Sequence, residues 1–120
     1  MKKLLLVDDD IDLVDLFARH LREKGYEVDM CYDGSEGVVK VKDNKYDMIL
    51  LDVMMPKMNG LEFLGQLKDY LVGTPIIMLT NLSRDGLVDR AVSLGAVGFI
   101  NKTEVDPGSL EEKIRGFLGE

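Results

Sequence analysis

The chain has 120 residues, 46% of them hydrophobic, which is enough for one compact core and too little for two ordinary domains. Its 22 acidic and 15 basic residues give a net charge of −7, which opposes non-specific binding to nucleic acid and to anionic membranes. The single cysteine, Cys31, excludes an internal disulfide and suits a reducing cytoplasm. No apolar stretch approaches the roughly 20 residues needed to span a bilayer. We therefore expect one soluble, cytoplasmic domain over residues 1–120.

Five short segments predict β-strands. Glu27 to Cys31 alternates between polar and apolar residues, as a strand at the edge of a sheet does. The other four are continuous apolar runs, which are typical of strands buried on both faces of a parallel sheet. These runs are Leu4 to Val7, Met48 to Leu51, Ile76 to Leu79 and Val97 to Ile100.

Apolar residues at helical spacing predict five helices between and after these strands. Gly25 and Gly95 are placed to end the first and fourth helices, and Pro107 to open the fifth. The alternation predicts an α/β fold with a doubly wound, five-stranded parallel sheet and (βα)5 connectivity. For this sheet we expect the flavodoxin-like strand order 2-1-3-4-5. The apolar positions are Val14, Phe17, Ala18 and Leu21; Val38 and Val41; Leu64, Leu67 and Leu71; Val88, Ala91 and Val92; and Leu110, Ile114, Phe117 and Leu118.

Polar residues follow the apolar strands where each strand ends. Because the carboxyl ends of parallel strands share one edge of the sheet, we expect these side chains to converge there. The first and third strands are neighbours in the predicted order, so their acidic residues lie closest together. The residues are Asp8 and Asp9 after the first strand, Asp52 after the third, Thr80 after the fourth and Lys102 after the fifth.

Three carboxylates in one pocket need a cation. Two of them about 4 Å apart repel by about 4 kcal/mol at an effective dielectric constant near 20. Oxygen ligands without a nearby His or Cys favour Mg²⁺, which keeps several waters and shares a phosphate. With Lys102 and the Thr80 hydroxyl, the pocket would bind a transferring phosphoryl group, and Asp52 would be its nucleophile.

Each residue alone also has a structural explanation. Asp10 is expected to cap the first helix, and Asp52 by itself is equally consistent with a turn. Only the joint placement at strand ends favours chemistry. His20 lies on the first helix, away from every strand end, and we expect it at the surface or facing a partner. We assign no catalytic His, Ser or Cys.

Four segments in order resemble the receiver domain of two-component response regulators, over the whole chain and most like the stand-alone chemotaxis type. The resemblance implies that Asp52 accepts a phosphoryl group from a phosphohistidine on a histidine kinase or phosphotransfer protein. It implies a switch rather than a turnover enzyme, with a downstream protein target and no direct contact with nucleic acid. The segments are Leu5 to Asp10, Asp52 to Gly60, Ile76 to Thr80, and Gly95-Ala96 ahead of Phe99 and Lys102.

The resemblance also implies a magnesium site and assigns its ligands. Asp9 and Asp52 would bind Mg²⁺ together with the backbone carbonyl of Met54. Asp8 would contribute through a water molecule.

A further implication concerns the response to phosphorylation. Lys102 and Thr80 would bind phosphate oxygens, and Phe99 would follow Thr80 inward. That movement would alter the face formed by the fourth helix, the fifth strand and the fifth helix. Phosphorylation therefore selects one of two conformers. We expect a monomer, with phosphorylation-linked dimerisation left open.

Several positions depart from the family pattern. Thr103 follows Lys102 where the family commonly has proline, often in a cis peptide, and without proline a cis bond costs about 2.5 to 4 kcal/mol. We therefore expect a trans bond or a reshaped loop. Asn81 is bulkier than the usual small residue and is expected to modulate access to the phosphoacceptor. Val97-Gly98 replaces an acidic pair frequent in transcription-factor receivers, so their dimer mode is not assumed.

Three other classes compete with a phosphorylated switch. A pseudo-receiver that binds partners without phosphorylation is the alternative suggested by Asn81 and the missing proline. A haloacid-dehalogenase-type hydrolase would need a second Asp where Met54 stands. A nucleotide-binding loop would need Gly, Ser or Lys where the first strand ends in acids.

Overall fold

The computed structural model describes residues 2–52, 60–80, 89–90 and 92–119. Its centre is a sheet of five parallel strands in the order β2-β1-β3-β4-β5, which confirms the predicted fold. The predicted edge strand is β2, and it does lie at an edge. The strands are β1 (Lys3–Val7), β2 (Glu27–Cys31), β3 (Met48–Asp52), β4 (Ile76–Thr80) and β5 (Ala96–Asn101).

Four helices have defined bounds. Helix α1 begins after Asp10, whose side chain accepts a hydrogen bond from the Leu13 amide as predicted. Of the fourth predicted helix, Val88 and Ala91 lie outside the described residues, and Val92 is helical but 55% exposed. None of the helices described is long and apolar enough to cross a membrane. The helices are α1 (Ile11–Glu23), α2 (Gly34–Asp43), α3 (Gly60–Leu67) and α4 (Pro107–Leu118).

The sheet has a hydrophobic core on each face, as a doubly wound fold requires. On one face, α1 and α4 contribute Phe17 and Ile114, which pack with Leu4 and Leu6 of β1. On the other face, α3 contributes Phe63, which packs with Leu5 of β1. Because β1 is buried on both faces, the loop that follows it is held rigidly at the carboxyl edge of the sheet.

Helix α2 fits closely against α3 on that second face. A Cβ atom at Gly37 would lie 2.6 Å from Cε2 of Phe63, so only glycine allows this approach without a shift of the ring. The same ring packs beneath the end of β1. The close contact therefore supports the strand that leads into Asp8.

Two predicted elements are corrected. The run from Val97 to Ile100 is not buried on both faces, because β5 is the second edge strand and Val97 and Phe99 are 59% and 44% exposed. An apolar run shows that a strand is hydrophobic, not that a neighbour covers it. Leu71 lies beyond the end of α3, where it is partly buried in a turn rather than on the helix.

Candidate functional site

The first part of the site is the tight connection between β1 and α1. The Asp8 amide donates to the Cys31 carbonyl oxygen at 3.1 Å, which extends the pairing of β1 with β2 by one residue. The Asp8 side chain then accepts a hydrogen bond from the Asp10 amide at 3.0 Å. These bonds hold the Asp8 carboxylate inside the protein, where it is only 1% exposed, while Asp9 faces solvent.

The second part is Asp52, the last residue of β3, which is 3% exposed. Since β3 lies beside β1, its end is next to the loop after β1. One carboxylate oxygen from each of Asp8, Asp9 and Asp52 lies within 4.8 Å of the other two. The structure therefore brings together the three acids that the sequence placed at neighbouring strand ends.

Lys102 lies between two of these acids. Its Nζ donates to Oδ2 of Asp8 at 2.9 Å and to Oδ2 of Asp52 at 3.3 Å, and its side chain is 9% exposed. Burial alone would lower the pKa of Lys102, but the hydrogen bond to Asp8 and the negative charge of Asp52 outweigh it. The pKa of Lys102 is raised, and the amine stays protonated.

Among the described residues, the charges in this pocket do not balance. Three carboxylates and one ammonium group carry a formal net charge of −2. Repulsion between carboxylates this close is costly where water is excluded. A divalent cation would neutralise the excess. The donor set fits Mg²⁺, because it consists of hard oxygen atoms from two buried acids and one exposed acid.

The remaining predicted site residues divide into three groups. Thr80 is the last residue of β4 and pairs with Asn101, but its side chain is outside the described part of the chain. Met54 and Asn81 lie wholly outside the described residues. Phe99 is on β5 and 44% exposed, so its ring occupies an outward position.

The bond between Lys102 and Thr103 is trans, and Lys102–Glu104 form a single 3₁₀ turn, as expected for a loop without the proline. Asn101 was not singled out from the sequence as a site residue. Its Oδ1 accepts hydrogen bonds from the Thr103 amide at 3.0 Å and from the Thr103 hydroxyl at 2.7 Å. The available signal was an Asn directly before a short helical turn, a frequent capping position.

Two other reactive residue types lie apart from this pocket. Cys31 is fully buried, and burial raises its pKa to about 12, so the thiol packs as an inert core side chain. His20 is half-buried rather than at the surface. Its Nε2 atom is buried and has no hydrogen-bond partner within the ranges described above.

Three comparisons place the chain among known proteins. Residues 4–115 match the model of the response regulator receiver domain family. The transcriptional regulatory protein CrdR of Helicobacter pylori is 33% identical over 120 residues, which cover 99% of this chain and 56% of CrdR. A CheY-like receiver domain protein from Methanospirillum hungatei superposes with a TM-score of 0.93 at 31% identity, covering 99% of this chain and 94% of that one.

A further structural match includes a bound ligand. The response regulator TrrA of Thermotoga maritima, solved in complex with Mg²⁺-BeF, matches with a TM-score of 0.83 at 32% identity, covering 97% of this chain and 98% of that one. The curated relatives are longer, because the chain spans only 40% to 56% of the first five.

Proposed function

The chain belongs to the response regulator receiver domain family of two-component systems, and we propose that Asp52 is its phosphoacceptor. One observation carries this assignment. Asp52 is a buried carboxylate at a strand end, it shares a 4.8 Å cluster with Asp8 and Asp9, and it lies 3.3 Å from the Lys102 ammonium group. A nucleophile, a cation site and a fixed positive charge therefore meet at one point.

In the proposed reaction, a carboxylate oxygen of Asp52 attacks the phosphorus atom of a phosphohistidine. A phosphorus–oxygen bond forms while the phosphorus–nitrogen bond breaks, and its electron pair stays on the imidazole nitrogen. The product is an acyl phosphate on Asp52 and a histidine on the donor. Lys102 is already within hydrogen-bond distance of the Asp52 carboxylate, so it can bind a phosphoryl oxygen without a large movement.

We assign the cation site to Asp8, Asp9 and Asp52, with the Met54 carbonyl as a further ligand. When bound, Mg²⁺ supplies positive charge that neutralises the phosphoryl oxygens during transfer. The support from this chain is the excess negative charge of the cluster and its all-oxygen donors. Asp9 faces solvent and would bind the ion at the open side of the pocket.

We further propose that phosphorylation is read through Thr80 and Phe99. The added phosphate brings about −1.5 to −2 charge and new acceptor oxygens, which favour the conformer that offers Thr80 and Lys102 as partners. Phe99 would then move from its half-exposed position towards the interior. Asn81, next to Thr80, would modulate access of water to the acyl phosphate.

The proposed partners follow from this chemistry. A histidine kinase or phosphotransfer protein would supply the phosphoryl group. A downstream protein would bind the altered face formed by the fourth predicted helix, β5 and α4, where α4 is the fifth predicted helix. We propose that residues 1–120 form one receiver domain that acts in the cytoplasm, as a switch and not as a turnover enzyme. Within residues 2–52 and 92–119 the acidic pair and the lysine are intact, and no observation favours a pseudo-receiver.

The test is phosphorylation by acetyl phosphate with Mg²⁺, followed by intact mass. The wild type should gain one phosphoryl group, and Asp52→Asn should gain none. Asp69→Asn is the matched control, because Asp69 is an exposed acid in the turn before β4, at the opposite edge of the sheet. Equal labelling of wild type and Asp52→Asn would refute the assignment.

A further inference from the structure

The 3₁₀ turn after β5 contains a small closed set of hydrogen bonds. Asn101, the last residue of β5, caps the turn with its side chain, whose Oδ1 accepts from the Thr103 amide at 3.0 Å. The Thr103 hydroxyl donates to the same oxygen at 2.7 Å. Lys102 lies between these two residues, so both of its neighbours are fixed to each other.

The direction in which Lys102 leaves the backbone decides whether it reaches the acids. Two strands, β4 and β3, separate β5 from β1, and neighbouring strands lie about 4.8 Å apart. The Lys102 side chain must therefore run along the carboxyl edge of the sheet to contact Asp52 and Asp8. A flexible lysine stem loses rotamer entropy when it is held in one geometry. When the backbone at Lys102 is fixed, fewer side-chain conformers of Lys102 point away from Asp52 and Asp8.

We propose that Asn101 and Thr103 are positioning residues that hold Lys102 in its place beside Asp52. The inference rests on the proposed function, in which Lys102 binds the phosphoryl group. It assigns to these two side chains the task of fixing the turn from which the Lys102 side chain extends.

A purely structural role explains the pair less well. Thr103 is exposed and Asn101 is half-buried, so neither contributes much to either hydrophobic core. Their shared hydrogen bonds are at the surface, where each adds little to global stability. What they do determine is where β5 stops and how the turn carrying Lys102 begins.

The first test compares rates of phosphorylation by acetyl phosphate with Mg²⁺. Thr103→Val should be about fivefold slower than wild type, the effect of about one hydrogen bond, and Asn101→Ala, which removes both bonds, should be at least about fivefold slower. Asn44→Ala should keep the wild-type rate. It is a matched control, because the Asn44 side chain also makes two hydrogen bonds but lies at the opposite, amino ends of the strands.

Conservative variants and a double-mutant cycle separate positioning from general damage. Asn101→Ser and Thr103→Ser keep a capping oxygen or a hydroxyl and should restore most of the rate. In a Lys102→Ala background, Asn101→Ala should cause no further loss, since its effect acts through the lysine. A fivefold further loss in that background would overturn the inference, as would a wild-type rate for Asn101→Ala.

A crystal structure of Asn101→Ala gives a readout that does not depend on phosphorylation. We expect Lys102 to have left at least one of its contacts with Asp8 and Asp52. A variant in which both contacts persist at their present distances contradicts the inference, even where the wild type is phosphorylated normally. A wild type that is never labelled on Asp52 counts instead against the proposed function.

Discussion

The amino and carboxyl ends of the parallel strands, here called the amino edge and the carboxyl edge of the sheet, differ in how their charged groups are paired. At the amino edge, Lys3 lies 3.9 Å from Asp29, and its backbone amide donates to Asp47 at 2.7 Å. Neutral groups complete this set, because the Tyr46 hydroxyl donates to Asp29 at 2.7 Å and the Asn44 side-chain oxygen accepts from the Lys3 ammonium at 3.1 Å. The side chains of Lys3 and Asp29 are 26% and 28% exposed, so water screens them.

At the carboxyl edge, the acidic side chains of Asp8 and Asp52 are 1% and 4% exposed, and the one described amine between them is Lys102. Two buried acids therefore share one described amine where water reaches them poorly. The comparison shows how one fold separates two tasks. Polar groups at the amino edge satisfy one another and stabilise the fold, whereas at the carboxyl edge the described acids outnumber the described amine and favour a cation.

The largest expected effect comes from removing the lysine at the carboxyl edge while the amino edge stays intact. Lys102→Ala removes the positive charge that faces the transferring phosphoryl group and should slow phosphorylation by acetyl phosphate about a hundredfold or more. Lys3→Ala removes the corresponding charge at the amino edge and should change the rate by less than about twofold. Circular dichroism checks that both variants are folded. Similar losses in the two variants would mean that the edges do not differ in function.

The second largest expected effect is stabilisation of the fold by added Mg²⁺. At about a hundredfold excess over its Kd, Mg²⁺ should raise the free energy of unfolding by about 2.7 kcal/mol, and chelation should reverse this. Thermal unfolding of wild type, Asp9→Asn and Asp47→Asn measures it. Asp9→Asn should lose the stabilisation by Mg²⁺ and Asp47→Asn should keep it, because Asp9 belongs to the acidic cluster and Asp47 does not. An undiminished response in Asp9→Asn would exclude Asp9 from the site.

A smaller effect is expected from the amino edge. Tyr46→Phe removes a hydrogen bond from a side chain that is only 7% exposed and leaves the ring in place. The free energy of unfolding should fall by about 1 kcal/mol, measured by urea denaturation. The phosphorylation rate should stay at the wild-type value. A slower rate would show that the two edges are coupled.

The smallest expected effect is a change with pH in the stability that the Tyr46 hydroxyl contributes. Burial, followed by the hydrogen bond to Asp29, raises the pKa of Tyr46 above its ordinary value of 10.0. A raised pKa means that the stabilisation is fully present below that ordinary value and declines as the pH rises above it, because the unfolded chain then ionises first. The stability difference between wild type and Tyr46→Phe should therefore shrink from about pH 9 to about pH 11 in urea titrations. A constant difference would contradict this.

The strands, and the polar residues that end them, could be predicted because they follow from local pattern, whereas the strand order that brings Asp8, Asp9 and Asp52 together comes from the expected flavodoxin-like arrangement. Apolar runs specify buried strands, and parallel strands bring their ends to one edge. The exposure of Phe99 could not be predicted in this way, since the composition of a strand does not say whether its outer face is covered. Nor could the bonds between Asn101 and Thr103, which depend on the backbone angles of one turn.

The contact between Lys102 and Asp8 joins residues 94 positions apart. During synthesis on the ribosome, the acids therefore emerge long before the amine that faces them. A nascent chain that has not yet reached Lys102 lacks the amine that contacts Asp8 and Asp52, so the last strand to be made completes the described site. A polypeptide that ends before Lys102 would consequently lack the charge that faces the transferring phosphoryl group.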